Sequence, residues 1–208
     1  MLERDPRLME QAPKNMVQRA VSTRRKKALQ LTLDLGFDPN WVDDNSAIHM
    51  AGDFDQDYEM FQILLNGGGS LQLRDPWYDG TGVGWADFMG FLALRDRMLN
   101  EEKIDLLDAL DFGRLDRVRE VLARDPGALE RPYAECLTRE PKREDWQTPL
   151  VRMVDRGNAD AVRILLECGA DVAARHPDGR TLLQVARDKN SAAIEGLLLE
   201  HGARASGE

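Results

Sequence analysis

The sequence is poor in the residues that build disulfide frameworks, zinc sites and membrane spans. Its 208 residues include two cysteines, Cys136 and Cys168, which are too few for a disulfide framework or a cysteine-ligated zinc site. No apolar run approaches the ~18 residues expected of a membrane-spanning helix. The first residues, MLERDPRLMEQAPKN, are charged and lack the apolar stretch of a secretory signal. We therefore expect a cytoplasmic protein with reduced thiols and no membrane association.

Motifs that carry catalysis or hold metals are also missing. The acidic run DFDQDYE at 53–59 begins like a calcium loop, but Tyr58 stands where that loop needs Gly and Leu64 where it needs Glu. The glycines at 67–69 are not followed by the Lys-Ser/Thr of a phosphate-binding loop. The three histidines show no paired spacing: His49, His176 and His201. We expect no catalytic residue, metal, cofactor or small-molecule substrate.

The charge is negative overall but unevenly distributed. The chain has 28 basic and 37 acidic residues, a net charge of −9. Residues 1–27 hold eight basic and three acidic residues, so the rest of the chain is strongly acidic. Such a body disfavours nucleic acids and anionic membranes and favours a partner with a basic patch. The short basic arm has two readings, a solvated helix face or a contact with nucleic acid.

Two stretches near the end of the chain repeat each other. TPLVRMVDRGNADAVRILLECGA, from Thr148, aligns without a gap with TLLQVARDKNSAAIEGLLLEHGA, from Thr181. The offset is 33 residues, and Gly169 falls on Gly202. A fixed period of this length indicates a repeat protein.

Each unit predicts two short helices. The Thr181 hydroxyl can cap the first helix, and the apolar spacing from Ala192 to Glu200 predicts the second. Gly202 then ends it, because glycine adopts the left-handed conformation at little cost. The Pro-Asp-Gly sequence at 177–179 predicts a tight turn. A unit is thus expected to be an antiparallel helix pair with a projecting β-hairpin loop.

These stretches resemble the ankyrin repeat, whose consensus carries T-P-L-H-x-A at this spacing. In the looser stretch SAIHMAG, His49 occupies the histidine position, which implies a structural hydrogen bond. The resemblance implies an all-α solenoid of about six helix–turn–helix repeats within a single domain, 13–205, after an N-terminal segment, 1–12. The repeats are expected near 13–45, 46–79, 80–103, 104–147, 148–180 and 181–205. The third repeat lacks its glycine–hairpin tail after Asn100, and an insertion at 131–146 follows the fourth.

The resemblance also implies a concave face, lined by first helices and hairpin tips, that binds a protein partner. Aromatic residues grouped there would act as interface anchors. The acidic segment 43–59, with six Asp/Glu and no Lys/Arg, would steer a basic partner. For Trp85 and Phe112 a place in the core between helices is the alternative. The expected partner-binding residues are Trp41, Asp53, Phe54, Trp77, Tyr78, Trp85, Phe88, Asp111, Phe112, Tyr133 and Trp146.

The sequence therefore predicts a non-catalytic protein–protein interaction module. Three alternatives remain open. The chain could be an inhibitor or immunity protein that covers a partner's active site. It could contact nucleic acid through its basic arm. It could be an enzyme with an unrecognised site in the inserted loop, around Glu135 and Cys136.

Overall fold

The computed structural model describes residues 11–52, 58–136 and 147–204, and over these ranges it contains twelve α-helices. Two short 3-10 helices, Pro126–Leu129 and Tyr133–Cys136, follow the eighth. The α-helices are α1 (Met16–Ser22), α2 (Lys26–Asp34), α3 (Ala47–Gly52), α4 (Tyr58–Asn66), α5 (Gly82–Phe88), α6 (Leu92–Glu101), α7 (Leu106–Asp111), α8 (Leu115–Arg124), α9 (Pro149–Asp155), α10 (Ala159–Glu167), α11 (Leu182–Asp188) and α12 (Ala192–Glu200).

The helices form six antiparallel pairs, which confirms the predicted all-α repeat fold. The chain divides into two compact units, the N-terminal unit up to Lys103 and the C-terminal unit from Ile104. Within each unit the first helices of successive pairs pack in one row. The boundary falls just after α6, where the sequence lacks a glycine–hairpin tail. The assignment of residues 13–205 to one domain stays a prediction.

The loops between pairs are less regular than the β-hairpins that the resemblance implied. In the described residues they are closed by single β-bridges, Val42 to Ser46 and Arg175 to Thr181, or by turns. The hairpin loops are therefore present as tight projecting turns without strands.

The core of each unit consists of apolar side chains that pack between successive helix pairs. In the C-terminal unit Leu150 and Met153 of α9 are fully buried, as are Leu165 of α10 and Leu183 of α11. Helices of this length are marginal alone in water. They persist because each apolar stripe is covered by its neighbours, at about 25 cal/mol for each Å² removed from water.

The predicted start of the last repeat is confirmed. The Thr181 hydroxyl accepts a hydrogen bond from the backbone N–H of Gln184 at 3.2 Å, and the Gln184 side-chain oxygen accepts one from the Thr181 N–H at 2.8 Å. This reciprocal capping box satisfies two helix-end donors. In the sister repeat Pro149 takes the first helical position, as expected, and the Thr148 hydroxyl makes no capping bond.

The predicted glycine stop of α10 is also confirmed. Gly169 has φ of +91°, and its N–H and that of Ala170 donate to the carbonyls of Leu166 and Leu165. These two bonds satisfy carbonyls that the helix end would otherwise leave unpaired. Gly196, by contrast, lies inside α12, where a left-handed conformation is not needed.

Two alanine substitutions test this difference, since neither added methyl group would meet an atom within 4 Å. Gly169→Ala should lower the free energy of unfolding by about 1–2 kcal/mol, because L-residues are strained at positive φ. Gly196→Ala should raise it by about 1 kcal/mol, because alanine is the better helix former. Urea unfolding of both variants beside the parent chain measures the effect. Changes of the same sign would contradict the assignment of the two positions.

Candidate functional site

The loop between α4 and α5 presents two aromatic side chains to solvent. The buried carboxylate of Asp75 accepts hydrogen bonds from the backbone N–H groups of Trp77 (2.9 Å), Tyr78 (2.7 Å) and Gly80 (2.6 Å). One side chain therefore organises the whole turn, as acidic side chains do in turns. Trp77 and Tyr78 stand on it with 66% and 79% of their surfaces exposed.

The same loop is fastened to the core by His49 of α3. His49 Nε2 lies 2.8 Å from the carbonyl oxygen of Gly80, and its Nδ1 pairs with the hydroxyl of Ser46. A carbonyl only accepts, so Nε2 carries the proton and Nδ1 accepts from the Ser46 hydroxyl. The structural hydrogen bond expected of His49 is therefore present, and it fixes the far end of the aromatic loop.

Burial lowers the pKa of His49 below its ordinary value of 6.5. The hydrogen bond to Gly80 and the charge of Asp75 act in the opposite direction, and Arg74 adds to the lowering. The outcome is a neutral imidazole in the folded chain near neutral pH. Because burial, and not the bond to Gly80, disfavours the charged form, protonation of His49 is coupled to unfolding of the chain.

Helix α5 adds two more aromatic rings beside the loop. The Thr81 hydroxyl caps α5 by accepting from the Gly84 N–H at 3.2 Å. Half-buried Trp85 meets Tyr78 at a ring-centroid distance of 6.1 Å and Phe88 at 5.8 Å, with interplanar angles of 76° and 86°. Near-perpendicular rings form adjoining walls rather than a stack.

These rings enclose a small cavity within the N-terminal unit. Its volume is about 250 Å³, and it is lined, among the described residues, by Tyr78, Gly80, Gly84, Trp85 and Phe88. We call these five residues the aromatic cavity. A methyl group added at Gly80 would lie 3.1 Å from the Asp75 carboxylate and 3.4 Å from the Trp85 ring, so a larger residue would crowd this wall. Sequence reasoning missed Asp75 and both glycines. The turn signal Asp-Pro at 75–76 with Asp-Gly at 79–80 could have indicated Asp75.

The structure brings some of the predicted partner-binding residues together and separates others. Tyr78, Trp85 and Phe88 meet at the aromatic cavity. Trp77 precedes Tyr78 in the loop but does not line the cavity, and its indole N–H donates to the Asp44 carbonyl at 2.8 Å. Trp85 is half-buried, between the core and surface placements that the sequence allowed. The role of all of them in binding stays a prediction.

Other predicted residues already contact the chain itself or lie beyond the described part. Lys14 stands over the ring of Trp41 at 4.6 Å, and half-buried Phe112 ends α7. Predicted residues outside the described ranges are Asp53, Phe54 and Trp146. The same holds for most of the insertion, 137–146, so its alternative role as a catalytic loop stays a prediction.

Asp111, in the C-terminal unit, forms ion pairs within the chain. Its carboxylate pairs with Arg152 at 3.1 Å and with Arg156. Arg152 also stands over the ring of Tyr133, 4.4 Å from the ring centroid. Two predicted partner contacts, Asp111 and Tyr133, therefore hold the same arginine. This arrangement favours a structural role for both, through tertiary pairing that the sequence does not reveal.

The negative charge of the sequence is concentrated in the segment that contains the aromatic cavity. Residues 38–94 contain ten Asp/Glu and a single basic residue, Arg74, so this segment alone accounts for the whole net charge of −9. Arg74 is buried, and its guanidinium donates to the Asp79 carbonyl at 2.9 Å. Asp43 and Asp44, by contrast, are exposed. Of the acidic residues that lie outside the segment 43–59, Asp38 is exposed and Asp87 is half-buried, whereas Asp75 and Asp79 are buried.

Residues 11–52, 58–136 and 147–204 contain neither a cluster of metal ligands nor a membrane-spanning helix. No group of three His, Cys, Asp or Glu side chains in these ranges is arranged to hold a metal ion. None of the helices described there is both long enough and apolar enough to cross a bilayer.

Comparisons with known proteins agree with this architecture. Residues 145–177 match the sequence model of the ankyrin repeat. A comparison with curated protein sequences gives no match. Among solved structures, the ankyrin repeat protein EF0377 is similar, with 22% identity over 91% of this chain and 98% of that one, at a TM-score of 0.55.

Two further solved structures share the fold. The ankyrin repeat domain of Bcl-3, described as a member of the IkappaB family, has 17% identity over 92% of this chain and 87% of that one, at a TM-score of 0.56. A chain in the complex of the predatory endopeptidase Bd0816 from Bdellovibrio bacteriovorus with the immunity protein Bd3460 has 14% identity over 89% and 97%, at a TM-score of 0.52.

The class of protein is therefore an all-α repeat protein built of helix pairs. Residues 145–177 match the ankyrin repeat sequence model, and the chain shares its fold with solved ankyrin repeat structures. The resemblance seen in the sequence is confirmed.

The first prediction from the site concerns His49. Because its folded pKa is lowered, its contribution to stability is complete above pH 6.5 and is lost as the pH falls below 6.5 towards the folded pKa. Urea unfolding at pH 7, 6 and 5 should show a steeper loss for the parent chain than for His49→Gln. The variant should be less stable at pH 7 by about 1–3 kcal/mol, because Ser46 and Gly80 lose partners. Equal pH slopes would contradict this coupling.

The second prediction concerns Asp111. Asp111→Asn should lower the free energy of unfolding by about 1 kcal/mol, since the Arg152 side chain is only 14% exposed and loses its counter-charge. The matched control is Asp116→Asn, whose carboxylate pairs with Arg114 but is 63% exposed, and this change should stay within about 0.5 kcal/mol. An unchanged stability in Asp111→Asn would show that its ion pairs do not stabilise the fold, and the prediction that Asp111 binds a partner would stand.

Proposed function

We propose that this chain is a non-catalytic, cytoplasmic protein-interaction module whose partner binds the aromatic face formed by Trp77, Tyr78, Trp85 and Phe88. The observation that carries the proposal is the exposure of three of these rings on rigid supports. Tyr78 and Phe88 are each 79% exposed, and Trp77 is 66% exposed. Exposed apolar groups gathered in one patch mark interaction sites.

The way in which these side chains are held supports the proposal. Tyr78 stands on a turn fixed by Asp75 and His49, and Phe88 stands at the end of capped helix α5. A surface that is ordered before binding loses little conformational entropy on binding. Tryptophan and tyrosine are also the residues that most often dominate interface energetics.

The fold is consistent with this function and does not determine it. Ankyrin repeats are protein-interaction modules, but functions depend on sites that differ among proteins of one fold. The proposal therefore depends on the aromatic face, together with the acidic charge of residues 38–94, which favours a basic partner.

The proposal is tested by capturing a partner on the full chain and measuring its affinity. Affinity purification with mass spectrometry identifies the partner, and calorimetry with the purified partner gives the dissociation constant. Tyr78→Ala combined with Phe88→Ala should weaken binding by about 30-fold or more, as loss of a hot spot does. The melting temperature should hardly change, because both side chains are mainly in solvent.

A matched control removes exposed apolar groups elsewhere. Leu31→Ala combined with Leu199→Ala deletes two side chains that are each 49% exposed and lie outside the aromatic face. This variant should bind the partner as the parent chain does. Binding at full strength by the Tyr78 and Phe88 variant would show that the partner uses another surface.

A second candidate function is inhibition of an enzyme by covering its active site. A chain with this fold occurs in the complex of the endopeptidase Bd0816 with an immunity protein. If the captured partner is an enzyme, stoichiometric addition of this chain should abolish its turnover. An active enzyme within a saturated complex would leave recruitment as the function.

A further inference from the structure

The walls of the aromatic cavity restrict what can enter it. Its lining, among the described residues, is three rings and two glycines, with no ionised or hydrogen-bonding side chain apart from the Tyr78 hydroxyl and the Trp85 indole. The indole N–H of Trp85 is buried and makes no hydrogen bond within the described chain. A ligand rich in polar groups would leave its donors and acceptors unpaired there. The occupant must therefore have an apolar body or a group that aromatic rings attract.

The charge around the cavity decides between these two. Ten carboxylates and one buried arginine occupy residues 38–94. Asp43 and Asp44 are exposed on the loop that contacts Trp77, and Asp87 precedes Phe88 on α5. The side chain of Asp87 pairs with Arg95, so its negative charge is partly neutralised. The charges of Asp43 and Asp44 are neutralised less. A neutral apolar side chain gains nothing from this field, whereas a cation is drawn to it.

Other aromatic rings of the chain already show this chemistry. Lys14 lies over Trp41 at 4.6 Å, Arg97 over Tyr58 at 3.6 Å and Arg152 over Tyr133 at 4.4 Å, the last two as guanidinium-to-centroid distances. Each is within the ~6 Å at which ring faces attract cations.

The rings of the aromatic cavity differ from these three. No cation of the described residues stands over Tyr78, Trp85 or Phe88, and residues 75–94 include no Lys or Arg at all. A cation for these rings therefore has to come from outside the described residues.

We propose that the aromatic cavity receives the side chain of a lysine or arginine from a basic segment of a partner protein. This inference rests on the proposed function and specifies its chemistry. The aliphatic stem contacts Trp85 and the two glycines, and the charged end lies against the ring faces of Tyr78 and Phe88. The exposed carboxylates of Asp43 and Asp44 supply attraction at longer range, and the cavity supplies contact.

Nuclear magnetic resonance of the full chain labelled with ¹⁵N tests the proposal without the natural partner. The probes are blocked five-residue peptides, Gly-Gly-X-Gly-Gly, with X as arginine, lysine, citrulline or norleucine. The readout is the indole N–H signal of Trp85, assigned by its loss in Trp85→Phe. The arginine and lysine peptides should shift it saturably, at least about fivefold more tightly than citrulline or norleucine, as expected for a cation over aromatic rings.

Two variants separate the rings from the general acidity of the surface. Tyr78→Leu combined with Phe88→Leu keeps apolar volume but removes two rings. This double variant should bind the arginine peptide about fivefold or more weakly than the parent chain does. The matched control, Tyr133→Leu, removes a ring from the C-terminal unit and should leave peptide binding unchanged. Unchanged binding in the double variant would show that acidity alone attracts the peptide and would overturn the proposal.

Other outcomes separate this inference from the proposed function. Equal binding of norleucine and arginine would show a neutral apolar pocket. Absence of any Trp85 shift at peptide concentrations on the order of 10 mM would also overturn the cation site. In both cases, partner binding that still depends on Tyr78 and Phe88 would leave the proposed function standing.

Discussion

The fold depends on burying the apolar stripes of helices too short to persist alone. Helix α3 spans Ala47–Gly52 and α7 spans Leu106–Asp111. Helices this short make too few hydrogen bonds in water to offset the free-energy cost of forming the first turn. Each helix is stabilised by the pairs beside it, through fully buried residues such as Ile48 and Leu110. Because this stacking buries the apolar stripes, core packing places few constraints on the loops and on the exposed ends of the first helices. The aromatic face occupies this part of the N-terminal unit.

The link between the core and the aromatic face is polar. His49 belongs to the buried side of α3, yet its Nε2 is bonded to the Gly80 carbonyl at the end of the exposed turn. Asp75 is buried as well, and its carboxylate holds three backbone N–H groups of that turn. Buried polar groups lower stability unless they form hydrogen bonds, and here the hydrogen-bond partners are backbone groups of the loop. A change in the loop therefore alters the core, and the position of Tyr78 is set by the buried side chains of His49 and Asp75.

The sequence predicted most of the fold, because the fold is local and repeated. The 33-residue period, the Thr181 cap and the Gly169 stop each depend on a few neighbouring residues, and all three are present in the structure. The site was predictable only in part. Exposure of Trp77 and Tyr78 followed from their place in a loop. The cavity beside Trp85 and the pairing of Asp111 with Arg152 depend on tertiary distances between elements, which a sequence pattern does not contain.

The acidity and the rings of this surface act over different ranges. At physiological salt a charge is felt over about 8 Å, so in the proposed complex Asp43 and Asp44 would influence how often a basic partner arrives and how it is oriented. A ring face acts at contact, where water has left and salt screens little, so in the proposed complex Tyr78 and Phe88 would govern how long the partner stays. Differences in affinity between related complexes lie mainly in dissociation rates. An acidic surface without the rings would attract many basic proteins and retain few, and rings without the acidity would retain apolar groups of any charge. Selectivity for a basic segment requires both on one rigid support.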